Sequence, residues 1–288
     1  MKVKLGTVIL YTIMSLCAIV CLIPFVLVLS ASLTDQVALA KDGYQLIPEV
    51  WSLKAYEVII LNPAQLLRSY GVSITVTVLG TTLSIIFSTL LAYPLSRPDF
   101  AYRNPLSFYI FFTMLFNGGL VPFYILLSQY LSVKDTILAL ILPGMISPFF
   151  IILIRTFFQT IPYSLIELGM LEGASEIKIY FRIIVPLSAP ILATISLFTS
   201  LGYWNDWFNS LLFINKTQLY PLQYMLMVMM QNIEFMLKNA GRGLNAADIP
   251  MEPVRMAMAI IAIGPMAFVY LYFQKYFVKG IIIGAVKG

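Results

Sequence analysis

Histidine is absent from all 288 residues. That removes the commonest metal ligand and the usual general base at neutral pH. Cysteine is nearly absent: Cys17 and Cys21 sit four apart inside one apolar run. Helical spacing puts both on one face, where they read as small packing residues. Two cysteines one turn apart on an apolar helix are a poor redox or zinc site. Charge is scarce as well. Only 11% of residues are charged, against about 25% in soluble domains. No GxxxxGK[ST] loop is present to cradle phosphates, so ATP hydrolysis would have to come from another chain. No polar segment is long enough to bury a core of its own. With no clustered carboxylates either, nothing reads as enzyme chemistry. Titratable groups inside the apolar runs are almost missing, which argues against a self-sufficient ion-coupled carrier or channel.

Apolar residues are plentiful instead, at 60% of the chain with a mean hydropathy of +0.90. A water-soluble core could not hide so much apolar surface, so the class is an all-α, polytopic membrane protein. Six runs are long enough to span a bilayer: residues 6–30, 71–96, 106–128, 136–156, 185–212 and 254–274. All 288 residues then form one transmembrane domain. The first run follows Lys2 and Lys4, like a signal peptide, but it is far longer than the 7–15 residues of a signal core. It reads as a retained helix. A cytoplasmic N-terminus puts ten of the 18 basic residues inside and nine of the 13 acidic residues outside. Both termini are therefore expected in the cytoplasm. The net charge of +5 reads through this topology rather than as a sign of nucleic-acid binding.

Two outer segments are long. In 34–70, Ser52 can cap a short helix beginning at Leu53, and Trp51 and Tyr56 suit the membrane interface. The other, 213–253, carries a methionine-rich stretch at 225–230, read as a packing or gate surface rather than a ligand site, and then the polar turn at 238–250. Six prolines (Pro24, Pro94, Pro122, Pro143, Pro148 and Pro265) lie in or beside the runs, where neighbours can satisfy the freed backbone groups.

One polar island, 157–184, interrupts runs four and five. Ser164-x-x-Glu167 has the pattern of a capping box starting a helix just after Pro162. Leu165, Leu168 and Leu171 follow at helical spacing. Gly173 can take a left-handed conformation and end that helix. A second helix opens near Ser175, with Ile177, Tyr180, Phe181 and Ile184 predicted as one apolar stripe and Lys178 and Arg182 on the other side. Pro186 marks its hand-over to the next run. A helix lying in lipid headgroups is the plain reading. The first helix, however, carries Glu167 and Glu172 and no basic residue, so anionic lipid would repel it. A protein groove suits it better.

The island resembles the EAA loop of ABC importer permeases: Glu-Ala-Ala, three residues, Asp-Gly, nine residues, then Ile-x-Leu-Pro. Glu167, Glu172-Gly173 and Ile184-Val185-Pro186 match in outline. Leu168 and Gly169 replace the two alanines, and Glu172 replaces the Asp. Further stretches are similar to carbohydrate-uptake permeases of the MalG-like, LplC/YtcP-type subgroup. They are Ser-x-Thr-Val-Thr at 73–77, Ala-Tyr-Pro-Leu-Ser-Arg at 92–97, Asn-Gly-Gly-Leu-Val-Pro at 117–122, Trp204-Asn205-Asp206-Trp207 and the tail to Gly288. The resemblance covers nearly the whole chain.

It implies the type I importer permease fold of six spans, in a bacterial cytoplasmic membrane. Two such permeases form one pore, two ATPase subunits dock on the loops, and an extracellular solute-binding protein delivers an oligosaccharide or glycan fragment. It implies no cofactor in this chain; ATP and Mg²⁺ belong to the ATPase. The coupling residues would be Glu167, Leu168, Gly169, Glu172, Gly173 and Ala174. Glu167 has a second reading, as a simple helix cap. The tail 275–288 either reaches the ATPase or lies on the membrane surface.

For the solute, Tyr203, Trp204, Asn205, Asp206 and Trp207 supply the aromatic faces and polar groups that sugars need. An Asp at membrane depth is a functional hypothesis by default. The alternative is an aromatic belt with a structural Asn-Asp pair. Asn117, Tyr124 and Gln129 are weaker candidates. An amino acid or phosphate permease built on the same loop remains a second reading for the solute.

Overall fold

The computed structural model describes residues 5–239 and 250–285. Among them the regular elements are helices, with one isolated bridge between Thr34 and Trp51. The chain divides into two compact units, residues 1–67 with 225–265 and residues 68–224 with 266–288.

In the first unit α1 (Leu5–Ser32) is a single apolar helix with Pro24 inside it, exposed over nearly all its length. Two short helices follow, α2 (Gln36–Asp42) and α3 (Lys54–Ile60). The Asp35 carboxylate accepts from the Val37 N–H and starts α2. The Ser52 hydroxyl accepts from the Lys54 N–H at 3.3 Å, but α3 starts one residue later than expected, and its N-cap is Leu53, which makes no side-chain cap bond. Tyr56 shares a hydrogen bond with Ser32 at 2.8 Å and fixes α3 to the end of α1. Arg255 pairs with Glu252 and Glu234.

The second unit carries most of the remaining structure, residues 225–265 belonging to the first. The second run, expected at 71–96, is α4 (Pro63–Ser96), which starts eight residues earlier. Asn62 accepts from the Gln65 N–H and Pro63 occupies the first turn, a start signal the apolar run does not contain.

Three runs expected as single helices are broken instead. The run 106–128 is α5 (Arg103–Leu115) and α6 (Leu120–Ile125), the latter continuing into a π-turn at Leu126–Tyr130, with a 110° bend between them. Asn117 Oδ1 accepts from the Gly119 N–H, and Gly119 has φ +89. Only glycine takes that conformation cheaply.

The run 136–156 is α7 (Leu138–Met145) and α8 (Pro148–Phe158), bent by 49°. The island and the fifth run are α9 (Tyr163–Leu171), α10 (Glu176–Ile179), a π-turn at Tyr180–Ile184, α11 (Val185–Leu187) and α12 (Ala189–Trp204), with a 78° bend at Ser188. This run ends at Trp204 rather than 212, and α13 (Phe208–Phe213) follows.

Asp135 clips the next turn by accepting from the N–H groups of Asn215 and Lys216. Those bonds, the Asn215 one foremost, hold its carboxyl below the usual carboxylate range. The chain ends with α14 (Leu222–Asn239), where the methionines at 225–230 are half-buried, and α15 (Met251–Ala285). The polar turn expected at 238–250 lies mostly outside the described residues. So do the tail's last three residues and the side chains beyond Gln274.

Among the described residues three helices are long and apolar enough to cross a membrane, and up to six spans result if each bent pair counts as one. Two clusters form the core of the second unit. One gathers Val72, Val76, Leu127, Ala139 to Ile141, Tyr203, Phe213 and Ile214. The other gathers Ala92, Leu95, Ile151, Ile154, Phe158, Ile166, Ile179, Ile184 and Ile195. The second seats the island on α4, α8 and α12. Between lipid-embedded helices, association rests on close packing and hydrogen bonds, because lipid is as apolar as leucine. Small residues at contacts therefore matter. A Cβ on Gly80 would lie 2.5 Å from the Tyr203 ring, and one on Gly144 would lie 3.0 Å from it.

Candidate functional site

The island is a tight helical hairpin. α9 begins at Pro162, without a side-chain cap. The capping box expected of Ser164 and Glu167 is not formed: Ser164 is already inside the first turn, and Glu167 is exposed with no hydrogen-bond partner among the described residues.

The far end follows the sequence closely. Gly173 has φ +74, its N–H donates to Met170 O, and the Ala174 N–H donates to Gly169 O, both at 2.9 Å. That is the paired 5→2 and 6→1 closure of a glycine C-terminus. Ser175 Oγ then accepts from the Lys178 N–H and opens α10. The two arms touch at Gly169, where a Cβ would meet Ile179 and Ile183 at 3.2 and 3.3 Å. Gly169 is therefore buried between the arms, while Leu168, Glu172 and Gly173 are exposed. Leu171, at 84% exposed, is the barest large apolar side chain of the chain's described surface. Ala174 is half-buried against the second core cluster.

The predicted apolar stripe is split. Tyr180 and Ile184 are buried together with Ile179, but Ile177 and Phe181 are exposed. The π-turn at 180–184 explains the difference. It inserts an extra residue into the turn and shifts the contact face off the 3.6-residue period.

A polar clamp ties α10 to the end of α4. Arg97, 4% exposed, donates through Nε and Nη2 to both Asp99 carboxylate oxygens at 2.9 Å, and through Nη2 to Glu176 Oε1 at 3.2 Å. The Tyr93 hydroxyl donates to Glu176 Oε2 at 2.5 Å and accepts from Arg97 Nη1 at 3.3 Å. The Arg97 guanidinium beside Asp99 holds that carboxyl below the usual carboxylate range. The Tyr180 and Thr89 hydroxyls share a bond of 2.7 Å nearby. Arg155 Nε donates to the Leu95 carbonyl, one of the orphan acceptors at the end of α4. A cavity of about 660 Å³ opens beside the clamp, lined by Leu90, Tyr93, Arg97, Phe100, Ile177 and Phe181 among others. The sequence displayed Tyr93 and Arg97 in a motif but gave no reason to join them to Glu176, 79 residues away from Arg97.

The aromatic stretch is divided between core and surface. Tyr203 and Trp204 are buried. Tyr203 donates to the Ile141 carbonyl at 2.7 Å, and the Trp204 ring lies 6.4 Å from Tyr70. Asn205 and Trp207 are exposed. Asn205 binds Leu201 O and Gln223. Asp206 accepts from the backbone and side chain of Asn209, in the first turn of α13, at 3.1 and 2.6 Å. Asn117 is exposed and accepts the local bond from the Gly119 N–H. Tyr124 stacks on Phe213 with centroids 5.5 Å apart.

A cavity of about 440 Å³ opens beside this segment, lined by Pro143, Gly144, Phe150, Phe198, Thr199, Gly202, Tyr203, Asp206 and Asn209. Thr199 Oγ1 is buried in its wall without a hydrogen-bond partner. At 3% exposure Trp204 has covered faces. Trp204→Ala is therefore expected to cost stability, about 3–5 kcal/mol as for other buried aromatics. A thermal melt of the purified protein should fall accordingly. An unchanged melt with weakened solute response would move Trp204 to the solute path.

Residues 80–283 match the model of the family described as "Binding-protein-dependent transport system inner membrane component". The chain is 39% identical over 267 residues to Protein LplC of Bacillus subtilis (strain 168), covering 93% of this chain and 90% of that one. It is 36% identical over 291 residues to the Polygalacturonan/rhamnogalacturonan transport system permease protein YtcP of the same organism, covering all of both. Among solved structures it is similar, with a TM-score of 0.78 and 28% identity, to a chain of a bacterial ABC transporter involved in the import of the acidic polysaccharide alginate. That likeness covers 95% of this chain and 97% of the other.

Proposed function

We propose that this chain, which belongs to the family of binding-protein-dependent transport system inner membrane components, forms half of the membrane pathway for an oligosaccharide or glycan fragment. It is a multi-pass membrane protein and a permease subunit of an ABC transporter. It is not an enzyme; ATP hydrolysis belongs to a separate ATPase subunit. A permease of this kind works with a solute-binding protein, an ATPase and a second permease.

Two ATPase subunits bind ATP and Mg²⁺ and seat the islands of the two permeases. Both termini of this chain face the cytoplasm, and the binding protein delivers solute from outside. Closure of the ATPase pair moves the islands, and the pathway turns from inward-open to outward-open.

The observation that carries this reading is the exposed edge of the hairpin. Glu167, Leu168, Leu171 and Glu172 stand bare on an element anchored from the other side by the buried Ile166 and Gly169. A rigid, half-acidic, half-apolar knob suits a protein cleft. For the solute, the support is the carbohydrate named for YtcP and for the alginate importer. The 440 Å³ cavity adds Phe150 and Phe198 for sugar C–H faces and Thr199, Asp206 and Asn209 for hydroxyls.

The test is a mild-detergent purification of tagged chain from its own membranes, read by mass spectrometry. An ATPase subunit and a second permease are expected to co-purify, and binding-protein-stimulated ATPase activity should respond to glycan fragments. Recovery of this chain alone, still active in solute uptake after reconstitution, would sink the reading. Stimulation by an amino acid or phosphate in place of glycans would correct the solute.

A further inference from the structure

We infer that Arg97 is the positioning residue that transmits movement of the island to span α4. The inference rests on the coupling role proposed above for the island.

The geometry separates two kinds of contact under the hairpin. Ile166, Ile179 and Ile184 pack into an apolar cluster. Such contacts resist separation but tolerate sliding, because they have no fixed direction. The clamp is directional. Both Asp99 oxygens fix the plane of the Arg97 guanidinium, as bidentate pairing does. The same Nη2 then reaches Glu176, the first residue of α10. Tyr93, one turn earlier on α4, grips the other Glu176 oxygen. A shift of α10 along its own axis would stretch these bonds before it loosened the apolar contacts.

The clamp is also poorly replaceable. The Arg97 side chain is 5% exposed, whereas the Asp99 and Glu176 side chains are each 54% exposed. One buried cation thus holds two carboxylates together. Without it, two like charges face one another at the junction, and the α10 end is pushed away from α4. From Arg97, α4 runs back to Gly80, which seats the Tyr203 ring at the wall of the 440 Å³ cavity. That stretch of helix is about 25 Å long. The clamp therefore joins the island to the side chain beside the proposed solute path.

The test uses the complete transporter, with all subunits and the binding protein, reconstituted in liposomes. Solute moved per ATP hydrolysed is measured alongside the amount of ATPase subunit retained. Four variants are compared: Arg97→Met, Tyr93→Phe, the exchange Arg97→Glu with Glu176→Arg, and Glu172→Lys as a marker of the island surface. Arg97→Met is expected to lower solute per ATP about tenfold, the scale set by losing one charge-assisted hydrogen bond, with the ATPase retained. Tyr93→Phe should lower it about twofold to threefold, the scale of one hydrogen bond, and the exchange should restore part of the loss.

If Arg97→Met and Tyr93→Phe leave solute per ATP unchanged, Arg97 is no transmitter. If both variants and the exchange lose the ATPase subunit in proportion to transport, Arg97 merely folds the island, and the inference is overturned as well. Glu172→Lys keeps the two ideas apart. Loss of the ATPase in that variant, with solute per ATP unchanged in Arg97→Met and Tyr93→Phe, leaves the coupling role standing without the clamp. Full retention and full transport in it removes the coupling role itself.

Discussion

Gly173→Pro is expected to reduce solute uptake by about a hundredfold or more, with the chain still inserted in the membrane. Gly173 holds φ +74, whereas proline is locked near −65°. Its N–H also donates to Met170 O at 2.9 Å, and proline has none. Proline in such a place costs about 3 kcal/mol or more, and 2.8 kcal/mol is about a hundredfold in an equilibrium. The effect stays local because Gly173 is exposed and a Cβ there meets nothing within 4 Å. The hairpin opens, but the core does not suffer. Gly173→Asn, which tolerates the left-handed region, should keep most of the uptake, and Gly173→Ala should fall between, at about 1–2 kcal/mol. Uptake into cells, with membrane level read by immunoblot, separates these. Equal transport by the proline and asparagine variants would mean that the shape of this turn does not matter.

Gly80→Leu is expected to prevent accumulation of folded chain. A Cβ at Gly80 lies 2.5, 2.6 and 2.9 Å from three atoms of the Tyr203 ring. The ring has no way out. Gly144 closes its other side, and its hydroxyl is tied to the Ile141 carbonyl at 2.7 Å. Overpacking a filled core costs about 1–3 kcal/mol or more, and here the added atoms would also break that bond, worth about 1 kcal/mol. Gly202→Ala is the control, because nothing stands within 4 Å of a Cβ there. It should change stability by less than about 0.5 kcal/mol. Size-exclusion profiles and thermal melts in detergent read both. A monodisperse Gly80→Leu protein melting like the parent would refute the packing described for Tyr203.

The sequence made the apolar runs, the glycine-closed turn and the helix start near Ser175 legible, because each depends on neighbours in the chain. The breaks in the runs were harder. Apolar content measures fitness for lipid and is blind to direction, so 106–128 reads as continuous although Asn117, Gly118 and Gly119 turn the chain by 110°. The Asn-Gly-Gly signal was present but lay inside an otherwise unbroken apolar run. The capping box failed for a different reason: Pro162 sets the helix start two residues before Ser164, which leaves that hydroxyl out of position. Tyr203 and Trp204 illustrate the deepest limit. In a chain this apolar, residue type does not tell whether an aromatic faces lipid, a water-filled path or a neighbouring helix. Only long-range contacts with Gly80, Gly144 and Tyr70 decide it. The Arg97 clamp was hidden likewise, since its carboxylate from α10 is far away in the chain.

The π-turn at Tyr180–Ile184 gives the chain a place where its length can vary. A wide turn holds one residue that a regular helix does not need. Dropping one there would leave Glu176 and Ser188 facing roughly as they do now. The same deletion within α12 would swing everything beyond it by about 100°, carrying Tyr203 out of its glycine seat. A one-residue deletion in this chain thus has a tolerated place beside a ruinous one, a few residues apart.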